Sequence, residues 1–193
     1  MIECFSAVCT AIESALEQAH QAGEAEQVNV AIDGMCGSGK STLGEALAEK
    51  YGGNLFHTDD FFLRPEQRTP ERYAQPGGNV DYERFQAEVL EHLADKNGFS
   101  YRRFDCHAME LGEIHKVSWN KVNIIEGAYS SHPYFGDFCR LCFFLEVSPE
   151  EQKKRILARN GEEMWKRFEQ DWIPMENHYF EFYGIREKCI VIP

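Results

Sequence analysis

Residues 34–41 read Gly34-Met35-Cys36-Gly37-Ser38-Gly39-Lys40-Ser41, which fits the spacing G-x-x-x-x-G-K-[ST] without a mismatch. Each fixed position has a physical task. Glycines permit the tight turns that aim successive backbone N–H groups inward at phosphate oxygens. Lys40 brings a charge to the β- and γ-phosphates, and the Ser41 hydroxyl can ligate Mg²⁺. Upstream, residues 28–32 form a short, β-branched apolar run closing at Asp33-Gly34, the pattern of a buried strand. Downstream, Leu43, Ala46, Leu47 and Tyr51 share one face of a helix whose positive end meets the anion. Strand, glycine loop and helix together predict a nucleotide site built from Gly34, Gly37, Ser38, Gly39, Lys40, Ser41 and Thr42.

The rest of the chain alternates short apolar runs with helical patterns. Residues 54–57, 122–125, 141–147 and 190–192 read as strands, and 99–104 as a further one. Phe5, Val8, Cys9, Ile12, Leu16 and Ala19 stand at helical spacing in a segment spanning 1–23 that Gly23 should end. Pro65, Pro70, Pro76 and Gly77-Gly78 mark 64–79 as a loop lining a site, and 81–95 read as a helix. Pro149 opens a basic helix that runs to the Asn160-Gly161 break. This order implies an α/β fold, a P-loop NTPase-type three-layer sandwich around a central parallel sheet with a mobile lid. A single domain over 1–193 is expected, with an acceptor-binding region at about 64–105 and the lid at about 150–170.

Composition narrows the partners. A formal charge of -12 over 193 residues argues against nucleic acid, whose binding needs clustered cations. ATP stays compatible, because local donors and Mg²⁺ override the global field. No run approaches a membrane span, and the acidic N-terminal stretch lacks a leader's basic start, so a cytoplasmic protein is expected. Seven cysteines, an odd number, suggest reduced thiols. Cys139 and Cys142 form a C-x-x-C, but Cys142 falls inside the apolar run 141–145 and reads as a buried thiol. The sequence is compatible with a homo-oligomer and does not reveal the oligomeric state.

Three further constellations point to phosphoryl transfer. Thr58-Asp59-Asp60 ends the second strand, where a doubly wound sheet places its ligands. Strand alternation would send the two aspartates to opposite sides, so one faces the site. A carboxylate of ordinary basicity suffices there, since the attacking hydroxyl loses its proton late in a loose transition state. Glu126 ends the strand at 122–125 and suits Mg²⁺, with Ser41 as its companion ligand. Arg155 and Arg159 share a helix face, and Lys166 and Arg167 follow the break; such cations stabilise the transferring group. The plainer alternatives are a turn cap, a carboxylate bonded to backbone and a solvated basic face. Guanine recognition lacks its aspartate, since Asn120-Lys121-Val122-Asn123 is the nearest string to N-K-x-D. An AAA-type ATPase would need a larger module with a second basic sensor region.

With these residues in view, the chain resembles the uridine kinase family, within the group that includes phosphoribulokinase and bacterial pantothenate kinase. The similarity runs from about Val28 to Pro193. Asp59-Asp60-Phe61-Phe62 is similar to D-S-F-Y, Asn79-Val80-Asp81 to N-F-D, Phe104-Asp105 to Y-D and Ile125-Glu126-Gly127 to F-E-G. Residues 154–159 resemble the arginine-rich lid helix, and Ile190-Val191-Ile192-Pro193 resembles V-I-I-P. The resemblance implies that Asp59 is the catalytic carboxylate, that Asp81 receives ribose hydroxyls, and that Arg155 and Arg159 bridge substrate and phosphates. It departs at Phe104, where the family has a base-contacting tyrosine, and at the second lid arginine, displaced by one residue. His107 lies near, but not at, the family's base-contacting histidine.

The expectation is therefore an ATP- and Mg²⁺-dependent small-molecule kinase. Lys40, Asp59, Arg155 and Arg159 would be catalytic, Arg167 would join the nucleotide contacts, and Asp59, Asp81, Phe104 and Arg155 would hold the acceptor. A nucleoside leads as acceptor, against pantothenate, a sugar or nicotinamide riboside. An ATP-sensing regulator is the reading from another class. Phe61, Phe62, Tyr73, Tyr134 and Phe135 carry no assigned role, and Cys36 is either an oxidant-sensitive thiol or filler.

Overall fold

A computed structural model describes residues 2–22 and 27–192. Helix α1 (Ile2–Ala22) precedes β1 (Val28–Gly34), α2 (Lys40–Tyr51) and β2 (Asn54–His57). The stop expected at Gly23 lies outside the described residues. The middle of the chain holds α3 (Pro70–Tyr73), α4 (Tyr82–Glu88), β3 (Phe99–Asp105), β4 (Glu110–Val117) and β5 (Val122–Glu126). Then come β6 (Leu141–Leu145), α5 (Pro149–Arg167), α6 (Ile173–Tyr183), α7 (Ile185–Lys188) and β7 (Ile190–Ile192).

Five strands form one sheet in the order β2-β5-β1-β6-β7, every pair parallel. Side chains alternate through it. Val122, Ile124, Phe143 and Leu145 pack toward α1 and α2 with Val8, Ile12, Leu43 and Leu47. Ile125 and Phe144 face the opposite layer with Phe85, Tyr179, Phe180 and Ile185. Both faces are covered, which is why these strands read as unbroken apolar runs. β1 lies between β5 and β6, and ligands in open parallel sheets bind beyond such a strand's carboxyl end.

Several expectations need correcting. The helix foreseen over 81–95 ends at Glu88; Val89 leaves helical geometry, and Leu90–His92 forms a separate 3₁₀ turn. The strand at 99–104 stays out of the parallel sheet and pairs antiparallel with β4, which the sequence pattern did not reveal. Its residues Glu110–Val117 mix charged with apolar side chains and are largely exposed, so their apolar period is weak. Pro65–Gln67 and α3 give the 64–79 loop two helical turns. Cys142 is joined to Cys189 in a disulfide. The β6–β7 register, which sets Phe143 opposite Ile190, brings these residues 47 positions apart to a Cα separation of 4.7 Å. Among the described residues no helix is long and apolar enough to cross a membrane.

Candidate functional site

A cleft of about 1110 Å³ opens at the carboxyl end of β1. Its floor is the 34–41 loop. Gly34 has φ 131°, and a Cβ there would stand 2.2 Å from the Leu145 carbonyl oxygen, so β6 tolerates only glycine at this turn. Lys40 is buried and donates to the carbonyls of Gly34 (2.8 Å) and Met35 (2.9 Å), drawing the loop into a ring. Gly39 caps α2 with no side-chain hydrogen bond, so the first-turn N–H groups of the helix are left to a ligand. Cys36 to Leu43 line the cleft, Thr42 among them; Gly34 does not, and serves instead as the carbonyl anchor for Lys40.

The acidic residues approach from neighbouring strand ends. The β2–β5 register sets His57 opposite Glu126. Glu126 is buried, accepts from the Ser41 hydroxyl at 3.3 Å and pairs with His57 Nδ1. That contact holds the imidazole above its ordinary value, against the opposing pull of burial. Ser41 and Glu126 thus present two oxygen ligands side by side, the donor type Mg²⁺ prefers. Gly127 follows with φ 129°, and a Cβ would meet Thr58 Oγ1 at 2.1 Å, which packs β5 against the Asp59 turn.

Asp59 and Asp60 sit on a 3₁₀ turn, Thr58–Phe61, and not on a strand. Alternation is therefore not what separates them, yet they do part. Asp59 opens onto the cleft, while Asp60 pairs with Arg103 Nε at 2.9 Å on the β3 side. Asp59 is exposed to the cleft, which tempers the effect of desolvation on it. Its carboxyl is pushed above the usual range by desolvation first and the Glu126 charge second.

Arg155 and Arg159 also border the cleft. Arg155 Nη1 donates to the carbonyls of Gly37 (3.1 Å) and Ser38 (3.3 Å), and its Nε bonds Glu151 at 3.0 Å. Arg159 is exposed and bonds Asn160. The break expected at Asn160-Gly161 is present: Gly161 has φ 78° and ψ 175° inside α5. A small apolar cluster of Cys36, Ile156, Trp165 and Phe168 packs this arm onto the loop. Cys36 is buried and its thiol is raised by burial, so it fits the filler reading and not that of a reactive group.

Three expected contacts lie off the cleft wall. Asp81 is buried, caps α4 through Arg84 N–H (3.1 Å), and lies 3.7 Å from both Arg64 Nε and Arg84 Nε. Phe104 is buried on β3 beneath the Arg68 guanidinium. Arg167 stacks on Trp172 and faces Asp171. Each has a nearer partner: for Asp81 and Arg167 these include residues three to five positions along the chain, for Phe104 a guanidinium 36 positions before it.

Other residues occupy the wall instead. Asn79 Oδ1 and Ser38 Oγ are buried atoms with no hydrogen-bond partner, the buried Tyr129 hydroxyl lies against the Asn79 side chain, and all three residues line the cleft. Arg72 fixes Asn79 by bonding the flanking carbonyls, Gly78 at 3.0 Å and Val80 at 2.8 Å, while also pairing with Glu83. Tyr129 has φ 75°, a conformation that a bulky residue adopts only when its surroundings impose it. Asp33 imposes it. Fully buried at the end of β1, it accepts from Gly34, Tyr129 and Ser131 N–H groups and from the Tyr179 hydroxyl at 2.9 Å. Burial pushes its carboxyl up, and those donors oppose the rise.

A family model described as an AAA domain matches residues 30–184. The match corrects the expectation that such a module would be larger than this chain. In structure, the chain is similar to a possible uridine kinase from Bacillus stearothermophilus. That pair shares 17% identity, covers 96% of this chain and 99% of the other, and has a TM-score of 0.67. It is also similar to D-glycerate 3-kinase from Cryptococcus neoformans var. grubii, at 14% identity, 91% and 89% coverage and a TM-score of 0.61. Among the curated proteins no match was found. Identities this low establish a P-loop kinase fold and leave the acceptor open.

Proposed function

This chain belongs to the AAA-domain family of P-loop proteins, and from that premise we propose that it transfers the γ-phosphoryl group of ATP to a hydroxyl of a small molecule. A nucleoside such as uridine or cytidine is the leading acceptor. One observation carries the reading: the loop ring, the Ser41–Glu126 pair and the Asp59 carboxylate converge on a single cleft.

In this reading Lys40 and the loop amides hold the phosphates. Ser41 and Glu126 would hold Mg²⁺, which supplies charge neutralisation at the phosphate oxygens when bound. Asp59 orients the acceptor hydroxyl and takes its proton as the bond forms. Arg155 and Arg159 compensate charge on the transferring group. Asn79 and Tyr129 are the acceptor contacts. A carbonyl that accepts beside a phenol that donates matches an alcohol, which does both.

Phe104, lying off the cleft, favours a second acceptor class, a small alcohol other than a nucleoside. Uridine, cytidine, pantothenate, simple sugars, nicotinamide riboside and D-glycerate, monitored by ADP release with Mg²⁺·ATP, separate the classes. Acceleration by at least one acceptor supports transfer. ATP binding with no acceleration by any would return the protein to the sensing role.

A further inference from the structure

One carboxylate in the cleft has no place in the chemistry above. Glu176, on α6, is buried and accepts from the backbone N–H of Cys36 at 2.9 Å. Gln152, on α5 and equally buried, donates to the carbonyl of the same residue at 2.9 Å. One residue of the phosphate loop is thus gripped on both sides by the helical arm that follows β6. Glu176 is also an anion lining a cleft whose other features are arranged for anions.

We propose that Glu176 is a positioning residue for the phosphate loop: it holds the Cys36 peptide and sets how readily the loop accepts a triphosphate. The groups facing it are Lys40 and the Cys36 thiol from the loop, Asp59 from the turn after β2, Tyr129 beyond β5 and Gln152 from α5. Burial raises the carboxyl to about 7, against the opposing pull of the Lys40 charge and of the Cys36 hydrogen bonds, with Asp59 adding a small repulsion. A protonated carboxyl still accepts from Cys36 N–H through its carbonyl oxygen but carries no charge. A triphosphate placed beside it favours that neutral form, so nucleotide binding takes up a proton at Glu176.

The inference rests on ATP binding at this loop, and the test keeps the two apart. Mg²⁺·ATP is titrated calorimetrically into the full chain and into Glu176→Gln, at about pH 6 and about pH 8.5. Glutamine imitates the neutral carboxyl. The affinity of the native protein should fall relative to that of Glu176→Gln by roughly tenfold at the higher pH. Comparison with the variant cancels the titration of ATP itself. Glu176→Ala, which releases Cys36, should bind more weakly than Glu176→Gln at both pH values. Parallel pH profiles for the native protein and Glu176→Gln would overturn the inference and leave the kinase reading standing. So would failure of both variants to fold, since the carboxyl would then serve the fold alone. A native protein that ignores ATP at both pH values defeats the kinase reading itself.

Discussion

The two ends of the cleft are built on different principles. At the end proposed for the phosphates the working groups would be backbone amides, and three glycines with positive φ, Gly34, Gly37 and Gly39, shape them within eight consecutive residues. At the end proposed for the acceptor they would be side chains, Asn79, Tyr129 and Asp59, each set by a partner outside its own turn: Arg72 for the first, Asp33 for the second, the β2–β5 strand ends for the third. A main-chain site is local in sequence. A side-chain site is assembled from distances that sequence does not contain.

The largest predicted effects test the phosphate end against its neighbour. Lys40→Ala should lower kcat by at least ~100-fold and weaken ATP in calorimetry, the usual size of a lost electrostatic contact to a transferring group. Asp59→Asn should cost a similar ~100-fold in kcat while ATP affinity holds. Near-normal turnover in Asp59→Asn would place the acceptor's base elsewhere. Gly34→Ala should act on the fold before chemistry, because its Cβ would strike the β6 backbone at 2.2 Å. A loss of about 2 kcal/mol or more in denaturant unfolding is expected, and an unaltered midpoint would show that the strand end yields.

Smaller effects are expected at the acceptor end. Tyr129→Phe should raise the KM of the acceptor by about tenfold, one lost hydrogen bond, with the KM of ATP unchanged. Equal effects on both substrates would erase the proposed division of the cleft. A further effect is on the pH dependence of stability. Glu176 releases its proton at an ordinary 4.5 when unfolded but at about 7 in the folded chain. The folded state therefore binds the extra proton, and stability contributed by this group falls as pH rises through that window. Glu176→Gln removes the penalty, so its melting temperature should gain on the native protein between about pH 5 and about pH 7.5. A constant difference across that range would leave Glu176 without a linked proton.

Much of the frame was legible in the chain itself. Buried parallel strands announced themselves as apolar runs at 28–32, 122–125 and 141–147, where the structure has Val28–Gly34, Val122–Glu126 and Leu141–Leu145, and the α1 stripe of Val8, Ile12 and Ala19 is buried as its spacing required. Asp59 reached the cleft as expected, although by a 3₁₀ turn and not by strand alternation. Asp81 illustrates the converse. An aspartate ahead of a helix reads equally as a ligand contact or an N-cap, and the two arginines near it decide for the buried cap. His57 could not be foreseen beside Glu126, because only the strand order makes those two ends adjacent. Glu176, 140 positions from Cys36, was equally hidden.

By itself the sequence determined the α/β alternation and the phosphate loop, since both arise from the conformational limits of residues adjacent in the chain. Tertiary structure alone decided which polar side chains face the cleft, that Cys142 meets Cys189, and that Glu176 grips the loop. Those outcomes turn on contacts across strands and helices, where an ångström of placement separates a partner from a bystander and where spacing along the chain carries no such measure.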